Sequence, residues 1–77
     1  MGDEQKTESD EIDGVRIGSL WKRNKGREVV RVRRAWMYGY PDAEPTVRAH
    51  PTTGGRPLVA PTAWLREHYT EQVSMPD

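Results

Sequence analysis

REVVRVRRAW, residues 27–36, decides how the chain is read. Val30 and Val32 stand on one side and Val29, Arg31 and Arg33 on the other, a period of two that belongs to a half-buried strand. Residues 28–37 are therefore expected as the longest strand of the molecule. The alternation is clean from 29 to 33 and then falters. Continued unchanged, it puts Arg34 and Trp36 with the buried valines, and Ala35 and Met37 with the arginines. Two outcomes are open: a bulge shifts the register, or Arg34 buries its stem and extends its charge to the rim.

Working outward, VRIGSLWKRN (15–24) alternates in part and predicts a strand or strand pair over 16–23, bent at Gly18. Asn24-Lys25-Gly26 then reads as the turn of a hairpin leading into the long strand. On the other side, Tyr38 to Pro45 carries two prolines and a glycine and reads as a loop. Thr46–His50 is a short strand with Val47 and Ala49 on one face, Thr52–Arg56 a turn, and Leu58–Ala60 a fourth strand between Pro57 and Pro61. Thr62 is placed to cap a helical turn, residues 62–69, that docks by Trp64 and Leu65.

Short strands joined by Gly/Pro turns, with one late helical turn, predict an all-β fold: a small SH3-like barrel of four to five strands. Its expected core is Val15, Ile17, Leu20, Val30, Val32, Val47, Leu58, Val59 and Leu65, with some of Trp21, Trp36 and Trp64 covering the ends.

The chain has 77 residues and no cysteine, so one small domain is expected without a disulfide or thiolate staple. Formal net charge is zero, but it is unevenly laid down. Residues 1–13 hold six acids against Lys6, a net of −5; residues 14–34 hold eight bases against Glu28, a net of +7. Residues 1–13 are so polar that they are expected as a disordered acidic N-terminal arm. The barrel is assigned to 14–72, and 73–77 to a frayed C-terminus. No stretch approaches the roughly 20 apolar residues of a membrane span. No secretory signal is evident, so a cytoplasmic location is expected.

The order Gly18-x-x-Trp21, a basic turn with Gly26, Val29-Val30-x-Val32, a long loop, Thr46-Val47, a Gly-Gly turn and Trp64-Leu65-x-x-x-Tyr69 resembles a set of small proteins from actinobacteria and their phages. The resemblance spans roughly residues 15–70. It implies an SH3-like barrel of uncharacterised function and carries no catalytic residues with it.

Catalytic chemistry finds little purchase. His50 and His68 are the only histidines, and no serine or threonine is spaced to form a nucleophile–histidine–acid site with them. Gly54-Gly55 lacks the Lys-Ser/Thr that follows a phosphate-binding glycine loop. Paired carboxylates fall in the arm. A non-catalytic binding module without cofactor or metal is expected.

The basic residues are the leading candidates. Arg31 and Arg33 project from one strand face, and Lys22, Arg23, Lys25 and Arg27 from the neighbouring strand and turn are expected to join them. Such a patch neutralises the phosphates of DNA or RNA, while Trp21, Trp36, Tyr38 or Tyr40 could stack bases. The competing reading is an ordinary wet face, or an edge strand charged against unwanted pairing. Tethered beside this patch, the arm could instead lie over it and compete with phosphate. Trp36, Tyr38 and Tyr40 also point to an aromatic contact for a host or phage protein. That alternative is protein–protein interaction or self-association through the edge of the long strand and the Tyr38–Tyr40 loop.

Overall fold

Ten consecutive residues, Val29–Tyr38, form the longest strand, and every other strand but one small hairpin is arranged around it. The computed structural model describes residues 6–39 and 41–72. In chain order the elements are β1 (Lys6–Glu8), β2 (Glu11–Ile12), β3 (Val15–Arg16), β4 (Leu20–Arg23), β5 (Val29–Tyr38), β6 (Thr46–Pro51), β7 (Leu58–Pro61), α1 (Thr62–His68) and β8 (Tyr69–Gln72). All strand pairs are antiparallel and run β7-β6-β5-β4-β8, with β1 added to β5. A four-strand meander, β4 to β7, with the last strand returning beside β4 after a helical turn, is the order of an SH3-like barrel. The fold is all-β, a curled barrel-like sheet with one short helix.

The faltering alternation resolves as a bulge. Val32 pairs with Ala49 and Arg34 with Arg48, so Arg33 is an extra residue between them. The shift turns Ala35 inward, where it is 1% exposed, and sends Arg34 out. A snorkelling Arg34 is thereby excluded. The expected placement of Trp36 with the core valines and of Ala35 with the arginines is likewise overturned, because one inserted residue exchanges the two faces.

The core consists of Val15, Trp21, Val30, Val32, Ala35, Val47, Ala49, Leu65 and Tyr69, with Ile12, Ile17 and Leu58 packed partly against it. Two expected members are outside. Leu20 pairs across from Arg31 on the outward face, and its neighbour Trp21 takes the inward place. Val59 is 55% exposed, because its partner Arg48 faces outward and Ala60 faces in. Trp64 is 38% exposed on α1, its ring 4.4 Å from that of His68 and 6.1 Å from that of the core residue Tyr69. The helix docks by Leu65 and Thr62, both buried.

Residues 6–13 are not the disordered arm that their composition implied. Lys6, Thr7 and Glu8 pair with Tyr38, Met37 and Trp36, and the Ser9 amide donates to the Ala35 carbonyl at 3.0 Å. These contacts need only backbone groups, so a polar sequence can make them. Next, Asp13 and Gly14 both take positive φ, 52° and 81°, and close the β2–β3 hairpin as a two-residue turn. Asp13 then reaches α1: its carboxylate accepts from the Thr62 hydroxyl at 2.5 Å and lies 2.9 Å from the Arg66 guanidinium. Thr62 is therefore not a helix cap. Pro61 holds the N-cap position without a side-chain bond, and the Thr62 hydroxyl is spent on Asp13. Residues 1–5 of the expected arm and the expected frayed end, 73–77, lie outside the described residues.

The long strand offers no free edge for a partner along most of its length. β4 and then β1 occupy one side of β5, and β6 the other. This corrects the expectation of an exposed edge there.

Candidate nucleic-acid interface

Cross-strand pairing sets which bases meet. On the outward face of β5, Arg31 stands opposite His50 and Arg34 opposite Arg48, with Arg33 on the bulge between the rows. Directly opposed side chains on one face lie about 5 Å apart at Cβ. Arg33, Arg34, Arg48 and His50 accordingly line one shallow hollow of about 340 Å³. No acidic side chain is part of that lining.

Neutralisation of this cluster is slight. The Arg34 Nε is 4.0 Å from Glu8, which also lies 3.9 Å from the Lys6 ammonium, and all three groups are well solvated. An exposed pair of this geometry contributes at most about 1 kcal/mol. Arg31 donates to the Gly18 carbonyl at 3.2 Å. Arg33 and Arg48 have no ion-pair partner among the described residues. A second hollow, of about 320 Å³, shares Arg33 and Arg34 and is lined also by Glu8, Ser9 and Asp10.

The expected set, Lys22, Arg23, Lys25, Arg27, Arg31 and Arg33, is not brought together as one patch. Lys22 lies on the outward face, opposite Val29 and one strand from Arg31. Arg23 is the next residue and shares the side of its pair partner Tyr69, which is buried. There it sits 3.9 Å from Glu28, whose carboxylate also accepts from the Tyr69 hydroxyl at 3.0 Å. Burial, followed by that bond to Glu28, holds the Tyr69 phenol above its ordinary pKa. Lys25 borders a different hollow with Arg23, Asn24, Glu67 and His68. Arg27 is exposed in the turn before β5.

Among the aromatics, Trp36 follows Arg34 by two residues and shares its outward side. It is half-buried, with the Lys6 ammonium 4.8 Å from its ring centroid. Tyr38 ends β5 opposite Lys6 and is half-buried. Tyr40 lies outside the described residues. Trp21 is in the core, where its indole donates to the Ser19 hydroxyl at 2.9 Å, and cannot stack a base.

The sequence reading left Arg34 open and passed over Arg48 and His50. The signal for the last two was present: Thr46-Val47-Arg48-Ala49-His50 alternates, so whatever buries Val47 and Ala49 must turn Arg48 and His50 outward. Among the described residues no three His, Asp or Glu side chains converge to hold a metal ion. Among the described residues no helix is long and apolar enough to cross a membrane. No protein-family model, no curated protein and no solved structure matches this chain.

Proposed function

We propose that this chain is a small, non-catalytic binding module of a phage or bacterium that contacts nucleic acid through the outward face of β5 and β6. One observation carries the reading: Arg34 faces Arg48 across the strand pair, Arg33 is added by the bulge, and no acid lines their common hollow. Like charges placed directly opposite destabilise a sheet. A phosphate backbone supplies the anions that relieve this, and the binding it gives is dominated by charge. Arg31, His50 and Lys22 extend the face at its margin.

Fluorescence anisotropy with labelled DNA and RNA, at about 50 mM and about 200 mM salt, tests this. Micromolar binding that collapses across that range is the expected result. Absence of binding at the lower salt overturns the proposal.

A second reading, contact with a protein or with another copy of the chain, is favoured by Val59. It is an exposed aliphatic on β7, a strand at the end of the sheet order, and it adjoins Arg48. Binding of that kind buries apolar area and survives the higher salt.

A further inference from the structure

Resting on that nucleic-acid reading, we infer that the ligand is a duplex held by its phosphates, not a single strand whose bases are stacked. Proteins that hold single strands without sequence preference combine a basic groove with aromatic faces on which successive bases lie. The outward face of β5 and β6 has the charge. Of its described aromatic side chains, Trp36 has an ammonium over the ring, and Tyr38 is half-buried at the end of β5. Strand pairing sets where the covering residue stands, with Lys6 opposite Tyr38 and Glu8 opposite Trp36, and its ammonium also lies 3.9 Å from the Glu8 carboxylate. A base approaching that ring must displace β1 or its lysine.

The other tryptophans do not substitute. Trp21 belongs to the core, and Trp64 sits on α1 against His68. The layout of charge points the same way. Arg31 and His50 form one row, Arg34 and Arg48 the next, and Arg33 stands between them. The guanidiniums thus cover two adjacent strands, Arg31, Arg33 and Arg34 on β5 and Arg48 on β6. A duplex presents a dense row of phosphates to such a surface and asks for no ring.

The experiment titrates a short labelled duplex, and each of its separated strands, with the full chain and with Lys6→Ala, from about 50 mM to about 200 mM salt. The native chain is expected to bind the duplex severalfold more tightly at the lower salt. The slope of log K against log salt is expected near about −2.7, for three phosphates neutralised by Arg33, Arg34 and Arg48. Lys6→Ala uncovers Trp36 and is expected to raise single-strand affinity relative to duplex affinity. Equal or tighter binding of single strands by the native chain overturns the inference and leaves the nucleic-acid reading standing. An unchanged strand-to-duplex ratio in Lys6→Ala also overturns it. Failure of every form to bind overturns both.

Discussion

Arg34 and Arg48 stand directly opposite one another on adjacent antiparallel strands, on the outward face of the sheet. Two guanidiniums in that relation cost the folded chain a fraction of a kcal/mol, roughly 0.2–1 kcal/mol by the usual scale of cross-strand pairs. Replacing one therefore separates stability from binding. Arg48→Gln is expected to leave the thermal midpoint unchanged or slightly raised. It is also expected to weaken DNA binding and to reduce the magnitude of the salt slope by about 1. Thermal melts and anisotropy on the same preparation check both halves. A loss of stability together with unchanged binding contradicts the assignment of Arg48 to the interface.

Glu8 is the acid nearest the arginine cluster, 4.0 Å from Arg34. A phosphate that approaches Arg34 must compete with it. Glu8→Gln keeps the backbone pairing of β1 with β5, which uses no side chain, and removes the competing charge. Exposed pairs contribute about 0.2–1 kcal/mol, so affinity for DNA at low salt is expected to rise about 1.5- to 5-fold. The gain should vanish at high salt, where the ion pair is already screened. Equal affinities of the two proteins at low salt would falsify a competing role for Glu8.

Much of this arrangement was legible in the sequence, for identifiable reasons. Val30 and Val32 alternate with arginines, and burial of one face fixes the other, so the strand and its wet side followed directly. Leu20 and Trp21 are adjacent and both apolar, so periodicity could not say which faces inward; Trp21 does. The bulge was visible as a break in period but not as a choice between bulge and snorkel, because pairing with β6 decides it. β1 was illegible because Lys6-Thr7-Glu8 buries nothing, and its place is set by backbone bonds to an edge of β5. The Asp13-Gly14 pair is a strong hairpin signal that the surrounding acidic composition obscured.

The same Asp13 gives the fold a pH dependence. The Thr62 hydroxyl, and then the Arg66 guanidinium, hold its carboxyl below the ordinary aspartate value. The folded pKa is thus lower than the unfolded one, so the unfolded chain binds the proton first as pH falls. The contribution to stability is fully present above the unfolded value of about 3.9 and is lost as pH drops through the folded value. Asp13→Asn lacks this dependence. Urea midpoints measured from about pH 7 to about pH 3 should show the native chain ahead at neutral pH, with the gap closing in acid. A gap that stays constant across that range contradicts the role given to the carboxylate.

Tyr69 closes the barrel from its last strand, 4% exposed, with its hydroxyl on the Glu28 carboxylate at 3.0 Å. Tyr69→Phe keeps the ring in the core and deletes that bond. It is expected to cost about 1 kcal/mol, as for a hydrogen bond whose acceptor can return to water. Glu28 stands on the opposite side of the sheet from the arginine hollow, so DNA affinity should not change. Chemical denaturation and anisotropy measure the two quantities. A parallel loss of binding indicates that Arg23 and Glu28 belong to the interface after all.

Arg33 is the residue that makes the strand irregular. Without it, the sequence from Val30 would run Val-Arg-Val-Arg-Ala, in which every second residue is small and apolar and no bulge is needed. Deletion of Arg33 is therefore expected to leave the core intact: Val32 still faces Ala49, Arg34 still faces Arg48, and Ala35 still turns inward. The hollow loses one of its three guanidiniums, and the local twist that a bulge adds is relaxed. Circular dichroism and a cooperative melt should show a folded chain, with a midpoint no lower than that of the native protein. DNA affinity at low salt is expected to fall severalfold, with the salt slope reduced in magnitude by about 1. If the deletion unfolds the chain, the bulge is a structural requirement of the barrel. If it folds and binds as before, the extra arginine serves neither purpose assigned to it, and the phosphate-gripping role passes to Arg34 and Arg48 alone.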